Sequence, residues 1–242
     1  METQVSREAA APTWRLSLVG GFTLTRDGHA VHPTPLGQRI IAYLALSPHA
    51  LPRARLAGTL WSDYPTDRAL ANLRAGLWRL RDSESPVKAT RWTVFLSEDL
   101  VVDVAVLRDF AERALGDTGV HPHLEGPLSD LARAGEILPD WDDEWLHVER
   151  ERFIQIRLHA LEVLCEHYAA IGQFGIAVEL CLAAVADAPL RESAQRQLIR
   201  VYLAEGNRAD AMRQYESYRR AMHDELGLDA AADITELLAT PG

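Results

Sequence analysis

Along WRLSLVGGFTLTRDGHAV, residues 14–31, Leu16, Leu18, Phe22 and Leu24 alternate with small or polar residues, the period of a half-buried β-strand. Asp27-Gly28 is a dipeptide suited to a tight hairpin turn, so this stretch predicts short paired strands. The period then changes. Ile40, Ile41, Leu44 and Ala45 share one face of a helix over about 37–47, ended by Ser47-Pro48-His49. A second helix is expected to open at Pro52, whose missing N–H costs nothing in a first turn, and to close near Trp61. After Ser62-Asp63-Tyr64-Pro65, Thr66 is the expected N-cap of a third helix reaching about Asp82. Residues 87–103 are β-branched and aromatic around Ser97–Asp99, which predicts a hairpin turning there.

From about residue 107 onward the pattern is helical. A Gly- and Pro-containing linker over 116–127 is followed by a long amphipathic segment from Asp142 to Ile171. Tyr168, Gly172 and Ala177 recur 34 residues later as Tyr202, Gly206 and Ala211. Thirty-four is the tetratricopeptide period; the glycine would close one helix and the alanine let the next pack closely. The expected fold is mostly α with small β. A floppy leader (1–13) precedes a winged helix-turn-helix domain (14–106) and an all-α, tetratricopeptide-like helical domain (107–242).

Strands, three helices and a hairpin, in that order, are the layout in which a third helix enters the DNA major groove and the hairpin is the wing. Projected at about 100° per residue, Leu70, Leu73, Leu77 and Leu80 form one stripe of the third helix, facing the core. Arg68, Ala71, Asn72, Ala75, Arg79 and Asp82 lie opposite, with Trp78 at the edge, where it is expected to pack against the wing. Arg grips guanine bidentately, Asn does so for adenine, and Ala suits a thymine methyl. Arg68, Asn72, Ala75 and Arg79 are therefore the candidate base readers. Arg39, Arg53, Arg55, Arg74, Arg81, Lys88 and Arg91 flank that face and are candidate phosphate contacts.

Charge sharpens this picture. The chain carries a net −10, yet residues 39–91 hold nine basic groups against four acidic. Residues 107–242 hold thirteen basic groups against twenty-five acidic, so the halves differ in kind. A basic N-terminal half suits nucleic acid. The acidic helical half supports the alternative of an interaction module for a basic partner, with a winged helix that binds DNA poorly.

With 48% hydrophobic and 25% charged residues, the composition is that of a globular protein. There is no apolar run of membrane-spanning length and no secretory signal, so a cytoplasmic protein is expected. Cys165 and Cys181, the chain's 2 cysteines, sit in apolar helical patterns and are expected to be unpaired core residues in a reducing compartment. No glycine-rich phosphate loop, metal-ligand spacing or nucleophile motif is present, so neither an enzyme nor a cofactor is expected; His121 and His123 are expected to be solvated linker residues.

LVGGFTLTRDGHAV, QRIIAYLALSP, Arg55-Leu56-Ala57 through Leu60-Trp61, and ANLRAGLWRLR resemble the output domain of the Streptomyces antibiotic regulatory protein family. WDDEWLHVERERF, HALEVL, PLRESAQRQLIRVYLAEGNRADAMRQYESYRR and DELGLD resemble that family's bacterial transcriptional activator domain. The resemblance spans about residues 14–239 and is that of a small member without added nucleotide-hydrolysing or sensor modules. It implies an activator that binds direct repeats in promoter DNA as side-by-side protomers, recruits RNA polymerase holoenzyme and controls secondary-metabolite genes. It places Asn72, Ala75 and Arg79 on the recognition surface. Asp82 departs from the basic residues that many relatives carry there.

Overall fold

The computed structural model describes residues 13–47, 49–81, 85–116, 128–229 and 232–239. The expected leader, apart from Thr13, nearly all of the linker (including His121 and His123), Pro48 and Asp82 lie outside them. The chain divides into two compact units, residues 1–106 with 135–149, and residues 107–134 with 150–242. A single cut after residue 106 therefore does not describe the packing, because a later segment is counted with the first unit.

In the first unit, β1 (Trp14–Ser17), β2 (Thr23–Arg26) and β3 (His29–Val31) precede α1 (Pro35–Leu46). Asp27 and Gly28 both take positive φ, 51° and 81°, and close the β2–β3 hairpin as its sequence predicts. Next come β4 (Leu51–Pro52), α2 (Arg53–Leu60), α3 (Thr66–Arg79), β5 (Val87–Ala89), β6 (Thr93–Leu96) and β7 (Leu100–Val102). Pro52 ends the edge strand β4 rather than opening α2; an edge position tolerates its missing donor. Thr66 is the first residue of α3, which Pro65 precedes, and the helix stops at Arg79, short of the expected Asp82.

Two small sheets result, one ordered β3-β2-β1-β7 and one β4-β6-β5. The β5–β6 hairpin turns at Thr90–Trp92, not at Ser97–Asp99 as expected. Ser97–Asp99 instead leads into β7, which leaves the hairpin to pair parallel with β1 and places Val102 in the core. The Asp103 carboxylate, opening α4 (Asp103–Gly116), accepts from Ser17 Oγ at 2.6 Å and from the Leu18 and Val19 amides, which secures that parallel strand. The core of α1, α2, α3 and β6 is built from Ile40, Leu44, Leu56, Leu60, Leu73 and Val94.

Residues 135–149 belong to the same unit through specific contacts. Val19 bridges Ile137, the Leu138 amide donates to Leu18 at 2.8 Å, and Trp141 stacks on Phe22. Trp145 meets Tyr43 edge-on with ring centroids 5.0 Å apart.

The second unit is helical: the rest of α4, α5 (Leu128–Arg133), α6 (Glu144–Ala170) from residue 150, α7 (Phe174–Asp187), α8 (Glu192–Ala204), α9 (Arg208–Leu226) and α10 (Ala232–Ala239). The 34-residue repeat is structural. Gly172 and Gly206 take φ of 77° and 87°, the left-handed conformation that ends a helix without a Cβ clash. Just after them the Gln173 and Asn207 amides donate back to Tyr168 and Tyr202, and Ala177 and Ala211 are fully buried. Arg157, 4% exposed, pairs with Asp187 and donates to the Leu131 and Ala132 carbonyls at 2.7 and 2.8 Å. Burial brings its pKa down to about 10, so it stays charged near neutral pH.

Cys165 and Cys181 form a disulfide, which corrects the expectation of two unpaired thiols. The turn at 171–173 folds α7 back so that their Cα atoms lie 6.1 Å apart, within disulfide reach. Among the described residues no helix is long and apolar enough to cross a membrane.

Candidate nucleic-acid interface

Helix α3 is amphipathic as its sequence predicts. Ala69, Leu73 and Gly76 are buried, and Leu70, Leu77 and Leu80 pack half-buried on the same core. Gly76 marks a close approach to α1, since a Cβ there would stand 2.7 Å from Ile40 Cδ1. Of the candidate base readers, Arg68, Ala75 and Arg79 are exposed and Asn72 is half-buried. The Arg68 guanidinium lies over the Tyr64 ring, 4.6 Å from its centroid, which holds it near the turn before the helix.

The wing is anchored at its tip. Arg53, opening α2, donates from Nε and a terminal nitrogen to the Thr90 carbonyl at 3.0 and 2.8 Å, and its amide donates to the Trp92 carbonyl. The Thr90 hydroxyl accepts from the Trp92 and Thr93 amides, which closes the turn. Arg91 stacks on Trp92, 4.8 Å from the ring centroid.

Between α3 and this wing runs an open cleft carrying the cations Arg53, Arg74, Arg81, Lys88 and Arg91 and, among the described residues, no lining carboxylate. Among the described residues no acidic group pairs with Arg74, Arg79, Arg81 or Lys88. Such a strip of positive charge can bind phosphates with little competition from the described residues around it. Arg55 is exposed on α2 but does not line the cleft.

Two expectations are corrected here. Arg39 is not a free phosphate contact. Its guanidinium donates to Asp143, from Nε at 2.9 Å, and to the Leu60 carbonyl, so it ties α1 and the end of α2 to the 135–149 segment. Trp145 Nε1 donates to the same carboxylate at 3.1 Å. Nothing in the sequence around Arg39 marks a partner 104 residues away. Trp78 is not packed against the wing: it lines the cleft but is 73% exposed. The Arg53–Thr90 link escaped the sequence reading too, because it depends on where the hairpin turns. Among the described residues no group of three or more His, Cys, Asp or Glu is placed to hold a metal ion.

Residues 129–240 match the family model of the bacterial transcriptional activator domain. The chain is 29% identical over 247 residues to the regulatory protein AfsR of Streptomyces coelicolor, covering 96% of this chain and 24% of that protein. It is 25% identical over 239 residues to AfsR of Streptomyces griseus, covering 95% and 24%. The chain thus spans about a quarter of the length of these relatives. A solved structure of Mycobacterium tuberculosis EmbR in complex with a low-affinity phosphopeptide superposes with a TM-score of 0.70 at 21% identity, over 94% of this chain and 64% of that one. That likeness establishes the mostly helical fold with small N-terminal sheets. The chain is thus similar to the AfsR proteins over nearly its whole length, and its residues 129–240 match the bacterial transcriptional activator domain.

Proposed function

We propose that this chain is a sequence-specific, DNA-binding transcriptional activator acting in the cytoplasm on promoter DNA. The carrying observation is the cleft between α3 and the wing, with five cations and, among the described residues, no lining carboxylate. On this reading α3 lies in the major groove, where Arg79, Arg68, Asn72 and Ala75 face base edges. Arg53, Arg74, Arg81, Lys88 and Arg91 hold phosphates, with Arg55 beside them. The resemblance to the antibiotic regulatory family supports direct-repeat operators, recruitment of RNA polymerase holoenzyme and secondary-metabolite targets. Residues 14–106 would be the DNA-binding part and 107–242 the activator part.

One recognition helix reads few base pairs and few phosphates are neutralised, so a single protomer binds weakly at physiological salt. A second protomer on the neighbouring repeat supplies the missing affinity, and the free protein is mostly monomeric. Gel shifts of the full chain on duplexes that it selects from a random pool test this. The binding constant should fall with salt at a log–log slope of about −4 to −5 per protomer. A five-base-pair insertion between the repeats, about half a helical turn, should abolish cooperativity. Absence of any salt-dependent DNA binding would return the helical-repeat interaction module as the better reading.

A further inference from the structure

Trp78 is left in water by a fold that buries the leucines of α3 wholly or in part. Its side chain is 73% exposed, and among the described residues no ring or cation stacks on it. Trp92, 70% exposed, differs in having the Arg91 guanidinium over its ring. An indole is the largest apolar surface a side chain offers, and leaving it solvated forgoes burial that a partner can restore.

Its neighbours indicate the partner. On a helix, residues three, four and seven apart share a face, so Trp78 stands in line with Ala71, Arg74 and Ala75, and Arg81 follows just past the helix end at Arg79. Arg74 and Arg81 line the same cleft as the indole, which is therefore flanked by cations. The two alanines leave space beside it for a partner's surface to come close. A strip of positive charge interrupted by one exposed aromatic ring matches a polyanion with apolar surface between its charges.

Resting on the DNA-binding reading above, we propose that Trp78 is a DNA-contacting residue, its indole packing on the apolar surface of the strand seated in the cleft. Two parts of DNA offer that surface, the thymine methyl in the major groove and the deoxyribose between phosphates. The contact adds affinity without charge, unlike the arginines on either side.

The experiment uses the full chain and duplexes that the wild type selects from a random pool. Trp78→Ala should bind about tenfold or more weakly, as truncation of a base-packing aromatic does, with an unchanged salt slope because no cation is removed. Trp78→Phe should recover most of the affinity. Arg74→Ala should instead lower both affinity and slope. DNA binding should quench part of the wild-type tryptophan fluorescence, and Trp78→Phe should lose that part. Replacing thymidine by deoxyuridine separates the sources. A loss for the wild type that is absent in Trp78→Ala assigns the methyl; equal binding assigns the sugar. Equal melting midpoints will show that the variants fold. A folded Trp78→Ala that binds like the wild type overturns the proposal while leaving DNA binding intact. A wild type that selects no DNA overturns both.

Discussion

Individual residues of α3 carry opposite demands on their two sides. Leu73 is fully buried and Leu77 only partly, so Leu73→Ala should cost about 2–5 kcal/mol and Leu77→Ala less. Gly76 makes a sharper test. Alanine in a helix interior ordinarily stabilises by about 1 kcal/mol relative to glycine. Here the added Cβ meets Ile40 and Leu36, so Gly76→Ala should destabilise by about 1–3 kcal/mol. Denaturant midpoints decide it, and a raised midpoint would contradict the α1–α3 contact. On the exposed side, the proposed guanine contact predicts that Arg79→Ala costs about 1–3 kcal/mol on the selected sequence and little on random DNA. An equal loss on both would make Arg79 a phosphate contact instead.

Among the elements, the wing shows how one side chain orders another element. Arg53 serves the Thr90 carbonyl through two nitrogens and the Trp92 carbonyl through its amide, so α2 and the wing tip move together. Arg53→Ala should speed amide exchange at the tip of β5–β6 and weaken binding to all duplexes alike. Arg53→Lys should restore part of the affinity but not the tip protection, because an ammonium lacks the planar fork. Unchanged exchange at the tip would mean that the Thr90 hydroxyl alone closes the turn. The three helices and the presence of a hairpin were legible from hydrophobic period. The turn was not, because Ser97–Asp99 has turn chemistry as good as that of Thr90–Trp92. The choice depends on β7 finding β1 as a partner.

At the scale of the molecule, the first unit is completed by residues 135–149, which bring Asp143 to Arg39 and Trp145 to Tyr43. A fragment of residues 1–106 therefore leaves a partly buried guanidinium without its carboxylate and uncovers the Tyr43 ring. It should melt below a fragment of residues 1–149, and Asp143→Asn in the longer fragment should account for part of the difference. Equal melting of the two fragments would show that the segment is dispensable. The expectation of a DNA-binding domain over 14–106 came from local pattern, which contained the strands, helices and wing but gave no sign that a stretch with an activator-domain signature would be shared.

What the sequence determined alone was whatever depends on near neighbours. The α3 stripe follows from a 3.6-residue period, the β2–β3 turn from the φ tolerance of Asp27 and Gly28, and the helical repeat from glycine and alanine 34 residues apart. Each is set by dihedral preference and by which side chains avoid water, and both act within a few residues. Only the tertiary structure decided that Arg39 meets Asp143, that Arg53 holds Thr90, that Cys165 joins Cys181 and that Trp78 stays in solvent. Those outcomes depend on which surfaces are brought together by packing. A basic residue on a helix face looks the same in sequence whether a carboxylate 104 positions away neutralises it or water does.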